Sequence, residues 1–502
     1  MLFKGRTVLA LVLAALFAGS IMTLTFIGTG FSFPPVLTKD HPIQASPGNS
    51  AAPGAGAENS AKETDGLSKA DIQKINTTYQ LIEHKFISPM GKDKIVDGAI
   101  RGMLESLNDP FSTYMDKEEA GKYNESVDAY FTGIGAEVTM EGGRVTVMSP
   151  IKDSPAEKAG IHAKDMILSV NGAKLEGLSL TEAVMKIRGP KGTQAKLEIL
   201  RPGMKEPIQI IVVRDEISIE TVSSEMLDQQ IGKIQISQFS SNTADRFKQE
   251  LAALESKGLK GLIIDVRNNP GGYLYGVLNL LESLVPNGKT LVQVEYRDQE
   301  KTQTVSKGSG KAYPIVVLVN EGSASASEIM AAALKESAGA TLVGEKTYGK
   351  GTVQTTYEKE LGDGSNIKMT IAKWLTPSGN WIHKKGIEPD IKVQQPAYFK
   401  TAPLNRDVEM KYDAAGDPIR NLQMMLTGLG LNPGRTDGYF SEKTAQAVKV
   451  FQRQHGLPVT GAVNAKTADL LEDSIIKTIR DPKNDLQLQE AIKVLKQKIG
   501  AR

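Results

Sequence analysis

The spacing of apolar and polar positions changes several times along the 502-residue chain, and each change marks a different kind of element. Thr7 to Phe31 is an uncharged, mostly apolar run, long enough for one helix across the roughly 30 Å hydrocarbon core of a bilayer. Ser32 to Gly66 is rich in Pro, Ala, Gly and Ser without periodic apolar positions. Such a segment does not repay its ordering entropy, and it predicts a tether. Beyond Ser68, Ile72, Ile75, Tyr79 and Ile82 recur at helical spacing, and a second stripe follows at Ile95, Ala99, Ile100, Met103 and Leu104. Two helices are expected there. Stripes of this kind pack within one chain or against a second subunit, so a homodimer through these helices is one expectation.

Between about Val127 and Glu216 the pattern shifts to short strands punctuated by Gly and Pro, with one helix near Leu180 to Ile187. From Ile217 onward, the β-branched runs Lys233 to Ile236, Leu262 to Val266 and Ile315 to Val319 alternate with helical patterns at Ala244 to Leu254 and Gly276 to Leu284, the alternation of an α/β domain. Asp417 to Leu471 returns to helix with Asp-Gly and Gly-Leu turns, and Asp485 to Ile499 carries Leu488, Ile492, Leu495 and Ile499 on one side. The expected fold class is multidomain α/β: a transmembrane helix over 1–31, a linker over 32–67, a helical region over 68–126, a β-rich domain over 127–216, an α/β core over 217–400, a small helical domain over 410–475 and a terminal helix over 476–502.

Charge changes this picture little, because 60 Lys and Arg nearly cancel 58 Asp and Glu; with no concentrated basic stripe, nucleic acid is not an expected partner. Lys4 and Arg6 precede the apolar run, so the positive-inside rule keeps the N-terminus cytoplasmic and sends the rest of the chain outward. A cleaved signal peptide is the alternative, with Ala18-Gly19-Ser20 as the small-residue site. The run continues past that point to Ile27, longer than a usual signal core of about 7–15 residues, which favours an uncleaved single-pass anchor. The absence of Cys removes disulfides, thiolate catalysis and a lipid-modified Cys anchor. The five His residues, His41, His84, His162, His383 and His455, lack the spacing of a metal site, and neither a metal nor another cofactor is expected.

The segment Asn320-Glu321-Gly322-Ser323-Ala324-Ser325-Ala326-Ser327-Glu328-Ile329 follows a buried-strand pattern and opens a helix-forming run. Ser325 with Glu328 fits a capping box, yet a hydroxyl at a strand-to-helix turn also sits where helix N–H groups stabilise an oxyanion. No Gly-x-Ser-x-Gly or His-rich context supplies a Ser-His-Asp triad. A desolvated lysine is the alternative base, and Lys350, flanked by Gly349 and Gly351, is the candidate. Taken alone it reads as a lysine exposed in a turn.

Together these segments resemble the S41 family of C-terminal processing peptidases. In that family the nucleophile lies in a Ser-Ala-Ser-Ala-Ser-Glu-Ile segment and the base in a Gly-Lys-Gly segment about 25 residues on. The resemblance implies Ser325 as nucleophile, ahead of Ser323 and Ser327, Lys350 as base, and Gln354 as the residue orienting the lysine. Leu262 to Gly272, ending Asn-Asn-Pro-Gly-Gly, is similar to the family's oxyanion loop, which implies the amides of Gly271 and Ala326 as oxyanion donors, with Gly272 the lesser candidate. Thr376-Pro377-Ser378-Gly379-Asn380-Trp381-Ile382 and Gly386-Ile387-Glu388-Pro389-Asp390 resemble its C-terminal signature.

Phe131-Thr132-Gly133-Ile134-Gly135-Ala136-Glu137-Val138, followed by Ser154 to Ile161 and Asp165 to Gly172, resembles a PDZ domain. This implies a β-sandwich-like module in which Gly133, Ile134, Gly135 and Ala136 form a nest of N–H groups for a peptide's terminal carboxylate. Arg188 reads as a surface charge or as a residue reaching towards the catalytic module. Ile419 to Gln423, Asp437-Gly438-Tyr439-Phe440, Phe451-Gln452 and Gly461-Ala462-Val463 resemble the small helical peptidoglycan-binding domain, which implies the cell wall as a docking surface. The expected protein is an extracytoplasmic, membrane-anchored serine endopeptidase that takes protein or peptide substrates by their C-termini. Its rivals are a non-catalytic PDZ scaffold bridging membrane and wall, and an amidase acting on peptidoglycan itself.

Overall fold

The computed structural model describes residues 66–501 except positions 152, 205, 405 and 407, together with a two-residue strand at Thr23–Leu24. The expected spanning helix and the tether up to residue 65 therefore lie almost wholly outside the described residues. Among the described residues no helix is long and apolar enough to cross a membrane.

Ser68 starts helix α1 (Lys69–Lys85) through a capping box with Asp71, and α2 follows at Lys92–Glu105. α1 buries none of its residues and α2 only Leu104, so Ile72, Ile75 and Met103 of the two apolar stripes stay exposed in the single chain. The chain then turns through 106–112 into a short strand, β1 (Thr113–Met115), and helix α3 (Lys117–Val127). Tyr114 ties this turn back to α2, its hydroxyl donating to Asp97 at 2.7 Å while its carbonyl accepts from Arg101 at 3.2 Å.

The β-rich domain comprises β2 (Tyr130–Gly133), β3 (Ala136–Glu141), β4 (Arg144–Pro150), β5 (Met166–Val170), α4 (Leu180–Ile187), β6 (Gln194–Leu200), β7 (Ile208–Val213) and β8 (Asp215–Ser218). Strands β3 to β7 form one antiparallel sheet in chain order, and β2 pairs with β8 beside it. Alternate residues such as Ala195, Leu197 and Ile199 enter a core closed by Ala183 and Ile187 of α4.

The α/β core is built on a sheet whose strands run in the order β9 (Val222–Met226), β10 (Ile231–Ile236), β11 (Gly261–Asp265), β14 (Ile315–Val319), β15 (Thr341–Gly344) and β18 (Ile391–Lys392). All neighbours are parallel except β9 and β10. Helices α5 (Thr243–Ser256), α6 (Leu274–Leu281) and α7 (Ala326–Ala338) cover one face. A second, antiparallel sheet, β16 (Thr352–Thr356), β17 (Asn366–Leu375), β12 (Thr290–Tyr296) and β13 (Lys301–Val305), shares that core through Val353, Ala372, Trp374 and Val292. Strand β1 joins this sheet from the N-terminal region, pairing Thr113, Tyr114 and Met115 with Lys368, Ile367 and Asn366 of β17.

Parallel strands covered on both faces need apolar residues at every position, and the core strands show the two sets separately. Ile315, Val317 and Val319 point into the main core, while Val316 and Leu318 point the other way. Their cover comes from the end of the chain. After the helical domain of α8 (Asp417–Gly428), α9 (Glu442–Gln454) and α10 (Ala465–Arg480), helix α11 (Leu486–Gly500) lays Leu488, Ala491, Val494 and Leu495 on this second face. α10 thus runs through the boundary expected at 475/476, and α11 is a layer of the core rather than an appendage. Its N-cap Asp485 is bound at 2.8 and 2.9 Å by Arg267, which also holds Asp265 at the end of β11.

Leu495→Ala should therefore lower the stability of the α/β core by about 2–5 kcal/mol, the range for emptying a buried leucine site, read as an earlier urea midpoint for loss of the core's Trp374 fluorescence. An unchanged midpoint would show that α11 is not part of that cooperative unit.

Candidate active site

Ser325 lies between β14 and α7 and adopts φ 55° and ψ −114°, a positive-φ conformation that costs a non-glycine residue energy and that persists where the surroundings enforce it. Gly271 is part of that enforcement: a Cβ there would lie 2.8 Å from the Ser325 Cβ and 2.9 Å from the Ala324 carbonyl oxygen. The expected capping box is half realised. Ser325 N–H donates to Glu328 Oε2 at 2.9 Å, but the Ser325 hydroxyl takes no part in capping.

The three serines of the segment have different fates. Ser323 Oγ donates to the Val266 carbonyl and Ser327 Oγ to the Asn269 carbonyl, each at 2.8 Å. Among the described residues, only two buried side-chain polar atoms lack a partner, Ser325 Oγ and Gln354 Oε1. Buried polar atoms are rarely left unpaired, and one that is calls for a functional account.

Lys350 is 1% exposed, so the reading of a lysine exposed in a turn does not hold. Its flanking glycines are required by packing: a Cβ on Gly349 would come within 2.8 Å of the Gly386 nitrogen, and one on Gly351 within 2.8 Å of the His383 nitrogen. The Lys350 carbonyl accepts from Trp374 Nε1 at 2.7 Å and the Gly351 carbonyl from Trp381 Nε1 at 2.8 Å. Phe111, brought in by the 106–112 turn, covers the amine with its ring centroid 4.7 Å from Nζ, and His383 meets Phe111 edge-on while stacking on Trp381.

The turns carrying Ser325 and Lys350 are joined by one carboxylate. Glu328, 0% exposed, accepts from Ser325 N–H at 2.9 Å, Lys350 N–H at 2.8 Å, Gly349 N–H at 2.7 Å and Thr347 Oγ1 at 2.5 Å. Sequence reasoning gave Glu328 only a capping role, because nothing local shows that a second loop closes on it.

Burial pushes the Lys350 amine well below the usual lysine value, and the nearby Lys368 pushes the same way, against opposing pulls from Asp109 and Glu328. Lys368 itself is lowered to about 8 by burial. Burial raises Glu328 above the ordinary carboxyl value despite the hydrogen bonds it accepts. At Asp109 burial is outweighed by hydrogen bonds from the Ser112 hydroxyl and the Phe111 N–H, helped by the nearby Thr370 hydroxyl and Lys350, and the carboxyl is held below its usual value. Asp109, Phe111, Lys368 and Thr370 were not singled out from sequence.

Gln354 sits on β16 opposite Thr370 of β17. Its Nε2 donates to Thr352 Oγ1 at 2.9 Å and Thr370 Oγ1 at 3.0 Å, which leaves Oε1 as the open end. The expected oxyanion donors differ from each other. Ala326, first residue of α7, has no intrahelical acceptor for its N–H. Gly271 N–H is already engaged, donating to Asn269 Oδ1 at 2.8 Å, so in this conformation it is not offered to an oxyanion. No bond from Gly272 N–H is formed to a loop acceptor among the described residues, and its carbon backbone lies against Phe239.

In the β-rich domain, Gly133 ends β2, Ile134 is buried in the core, Gly135 has φ +78° and Ala136 opens β3. The Gly135 carbonyl accepts from Ile151 N–H at 2.9 Å and Ser154 Oγ at 2.8 Å. Arg188 caps α4 and lies over the Phe131 ring, 4.8 Å from its centroid, with Glu125 at 3.7 Å; these contacts keep it at the domain edge.

The chain matches the family model of peptidase family S41 over residues 230–393, the PDZ domain over 132–212, the putative peptidoglycan binding domain over 415–471, and the N-terminal domain of the activating protease CtpB over 40–119. It is 46% identical over 428 residues to the carboxy-terminal processing protease CtpB of Bacillus subtilis (strain 168), covering 84% of this chain and 89% of that protein. To the carboxy-terminal processing protease CtpA of the same strain it is 44% identical over 435 residues, covering 86% and 92%. Among solved structures it is similar to the photosystem II D1 C-terminal processing protease, at 31% identity over 64% of this chain and 86% of that one, with a TM-score of 0.39.

A lysine whose folded-state value lies below its unfolded value near 10.4 costs stability at every pH below that unfolded value, and the cost reaches its full size once pH falls below the folded value. Lys350→Met should therefore raise thermal stability at neutral pH, by an amount of about 1–2 kcal/mol typical of relieving a functional site. The gain should grow as pH falls from about 10 towards the depressed value and level off below it. A gain independent of pH, or a loss, in melts recorded across that range would contradict a buried neutral amine.

Proposed function

The chain belongs to peptidase family S41, with the carboxy-terminal processing proteases, and on that premise we propose that Ser325 is its nucleophile, Lys350 its general base and Gln354 the residue that orients the base. The observation that carries this reading is the pairing of orphans: of all buried side-chain polar atoms among the described residues, Ser325 Oγ and Gln354 Oε1 alone lack partners, and the turn bearing Ser325 is bound to the turn bearing Lys350 through Glu328.

In the reaction a neutral Lys350 amine takes the hydroxyl proton as Ser325 Oγ attacks the scissile carbonyl carbon. The resulting tetrahedral oxyanion lies at the N-terminus of α7, with Ala326 N–H as its first donor. Gly271 N–H becomes the second donor by exchanging Asn269 Oδ1 for the oxyanion. The lysine ammonium then returns its proton to the leaving amine, and an ester to Ser325 remains. Water, deprotonated by the same amine, releases the product acid and restores the hydroxyl. Gln354 supports this cycle because its open carbonyl accepts an N–H of the amine and aims the nitrogen lone pair.

The PDZ module supplies the choice of substrate in this proposal. Neither Ile134 N–H nor Gly135 N–H donates to a protein acceptor among the described residues, as a nest for a terminal carboxylate requires. A membrane anchor over Thr7 to Phe31 and wall docking through the helical domain place the enzyme outside the cytoplasm, between membrane and peptidoglycan.

Acylation by a peptide ester, followed as a burst across pH, tests the chemistry. Ser325→Ala and Lys350→Ala should lose about 10²–10⁴-fold, the worth of a positioned acid–base group or more, and Gln354→Ala less. Wild-type acylation should rise with pH through the depressed Lys350 value. Lys350→Arg should be inactive because a guanidinium stays protonated; wild-type acylation by that variant would mean that another group is the base. For the PDZ module, amidating the C-terminus of a peptide substrate should weaken its cleavage, and equal turnover of free and amidated peptides would rule out carboxylate capture by Gly133 to Ala136.

A further inference from the structure

Of the three serines in the 323–327 segment only Ser325 has a place in the chemistry, yet Ser323 and Ser327 are just as deeply buried. Each donates its hydroxyl to a carbonyl of the 266–272 loop that follows β11. That loop carries Gly271, whereas the serine segment carries Ala326. The two N–H groups assigned to the oxyanion thus belong to separate segments, and both must come within about 2.7–3.1 Å of one oxygen. Something has to hold the segments in register.

Asn269 is where they meet, and it is fully buried. Its carbonyl accepts from Ser327 Oγ at 2.8 Å and from Ala324 N–H at 3.1 Å, so both bonds come from the turn of Ser325. Its side chain serves its own side of the junction: Nδ2 donates to the Ile236 carbonyl at the end of β10, and Oδ1 accepts from Gly271 N–H, each at 2.8 Å. Ser327 directly follows Ala326, and Asn269 precedes Gly271 by two residues. One hydroxyl-to-carbonyl bond therefore brackets both donors. The backbones approach closely at this point, since a Cβ on Gly271 would lie 3.1 Å from the Ala326 nitrogen.

We propose that Ser327 is a positioning residue for the oxyanion hole: its hydroxyl, bound to the Asn269 carbonyl, fixes the loop at 269 so that Gly271 N–H, on leaving Asn269 Oδ1, meets the same oxygen as Ala326 N–H. This rests on the roles proposed above for Ser325, Ala326 and Gly271. Ser327 then acts on the transition state, where charge develops on that oxygen, and not on substrate binding.

Ser323 provides the comparison. Its Oγ donates to the Val266 carbonyl at 2.8 Å and accepts from Asn320 N–H at 3.0 Å. Removing this hydroxyl leaves the Asn320 N–H without its acceptor, so the loss falls on stability. Removing the Ser327 hydroxyl leaves the Asn269 carbonyl its bond from Ala324 N–H. The fold is spared, and what is lost is the register of the two donors.

The test is acylation of the full chain by a peptide ester, set beside the affinity of a peptide boronic acid, whose tetrahedral adduct on Ser325 places an oxygen in the hole. Ser327→Ala should lower the maximal acylation rate by about 10–100-fold, as expected when a catalytic group is displaced by up to about 1 Å. It should weaken the boronic acid by a similar factor and leave the half-saturating ester concentration unchanged. Ser327→Cys, whose S–H is a weak donor, should fall between Ser327→Ala and wild type. Ser323→Ala should lower the melting temperature more than Ser327→Ala and the boronic acid affinity less. A wild-type rate and affinity in Ser327→Ala overturn the proposal, as does a rate loss that leaves the boronic acid affinity intact. Equal loss of that affinity in Ser323→Ala also overturns it, since general loosening of the turn would then account for both. If Ser327→Ala does not fold, Ser327→Cys decides by the same criteria. If Ser325→Ala is inactive while the Ser327 variants behave as wild type, this inference alone fails; if Ser325→Ala acylates normally, the roles on which it rests fail first.

Discussion

The buried carboxylate of Glu328 joins the turn of Ser325 to the turn of Lys350 by taking backbone N–H groups from both, at Ser325, Gly349 and Lys350, and the Thr347 hydroxyl besides. Every partner is a donor, which matches the acceptor-only chemistry of an ionised carboxylate. Hydrogen bonds to a charged group contribute about 1.5–3 kcal/mol each, and removing the acceptor would strand several buried amides at a cost of about 1–3 kcal/mol apiece. The clamp therefore sets the distance between the loops while leaving the Ser325 hydroxyl itself unpaired. Ser325 is free to keep its positive φ and an unpaired hydroxyl only because its backbone is held so firmly.

The second constraint is dryness. Phe111, His383, Trp381 and Trp374 close around the Gly349-Lys350-Gly351 turn, and burial prevails over the charges that would keep the amine protonated. Phe111 and Asp109 come from the N-terminal helical region, Gln354 and Thr370 from the antiparallel sheet, and Ser325 and Glu328 from the parallel-sheet core. The site exists only where three parts of the fold meet. The parallel sheet in turn depends on α11, contributed by the last residues of the chain, to cover its second face.

Much of this was legible in the sequence, for reasons that differ by element. Strands Ile315–Val319 and Gly261–Asp265 announce themselves as β-branched runs because both faces are buried. α1 and α2 follow from apolar spacing and the Ser68 cap. Ser325 and Lys350 were marked by short motifs whose glycines prove to be packing requirements at Gly271, Gly349 and Gly351. What the motifs did not reveal were relations between distant segments. Glu328 reads as a cap until the 347–350 turn closes on it, and Asp109 carries no mark in the sequence before β1 pairs with β17. α11 looks like a free amphipathic helix until its partner sheet is seen. The engagement of Gly271 N–H by Asn269 was likewise invisible, since an Asx bond within a Gly-rich loop leaves no trace in spacing.

The claim on which the chemistry turns is that the protein keeps the Lys350 amine neutral by burying it. Nitrogen or carbon NMR of the lysine side chain, assigned by comparison with Lys350→Met and titrated in folded Ser325→Ala protein, measures this directly. The account predicts that one lysine titrates well below the unperturbed value of about 10.4 and that its signal is the one missing from the Lys350→Met spectrum. A Lys350 signal that titrates with the exposed lysines near that value would contradict it.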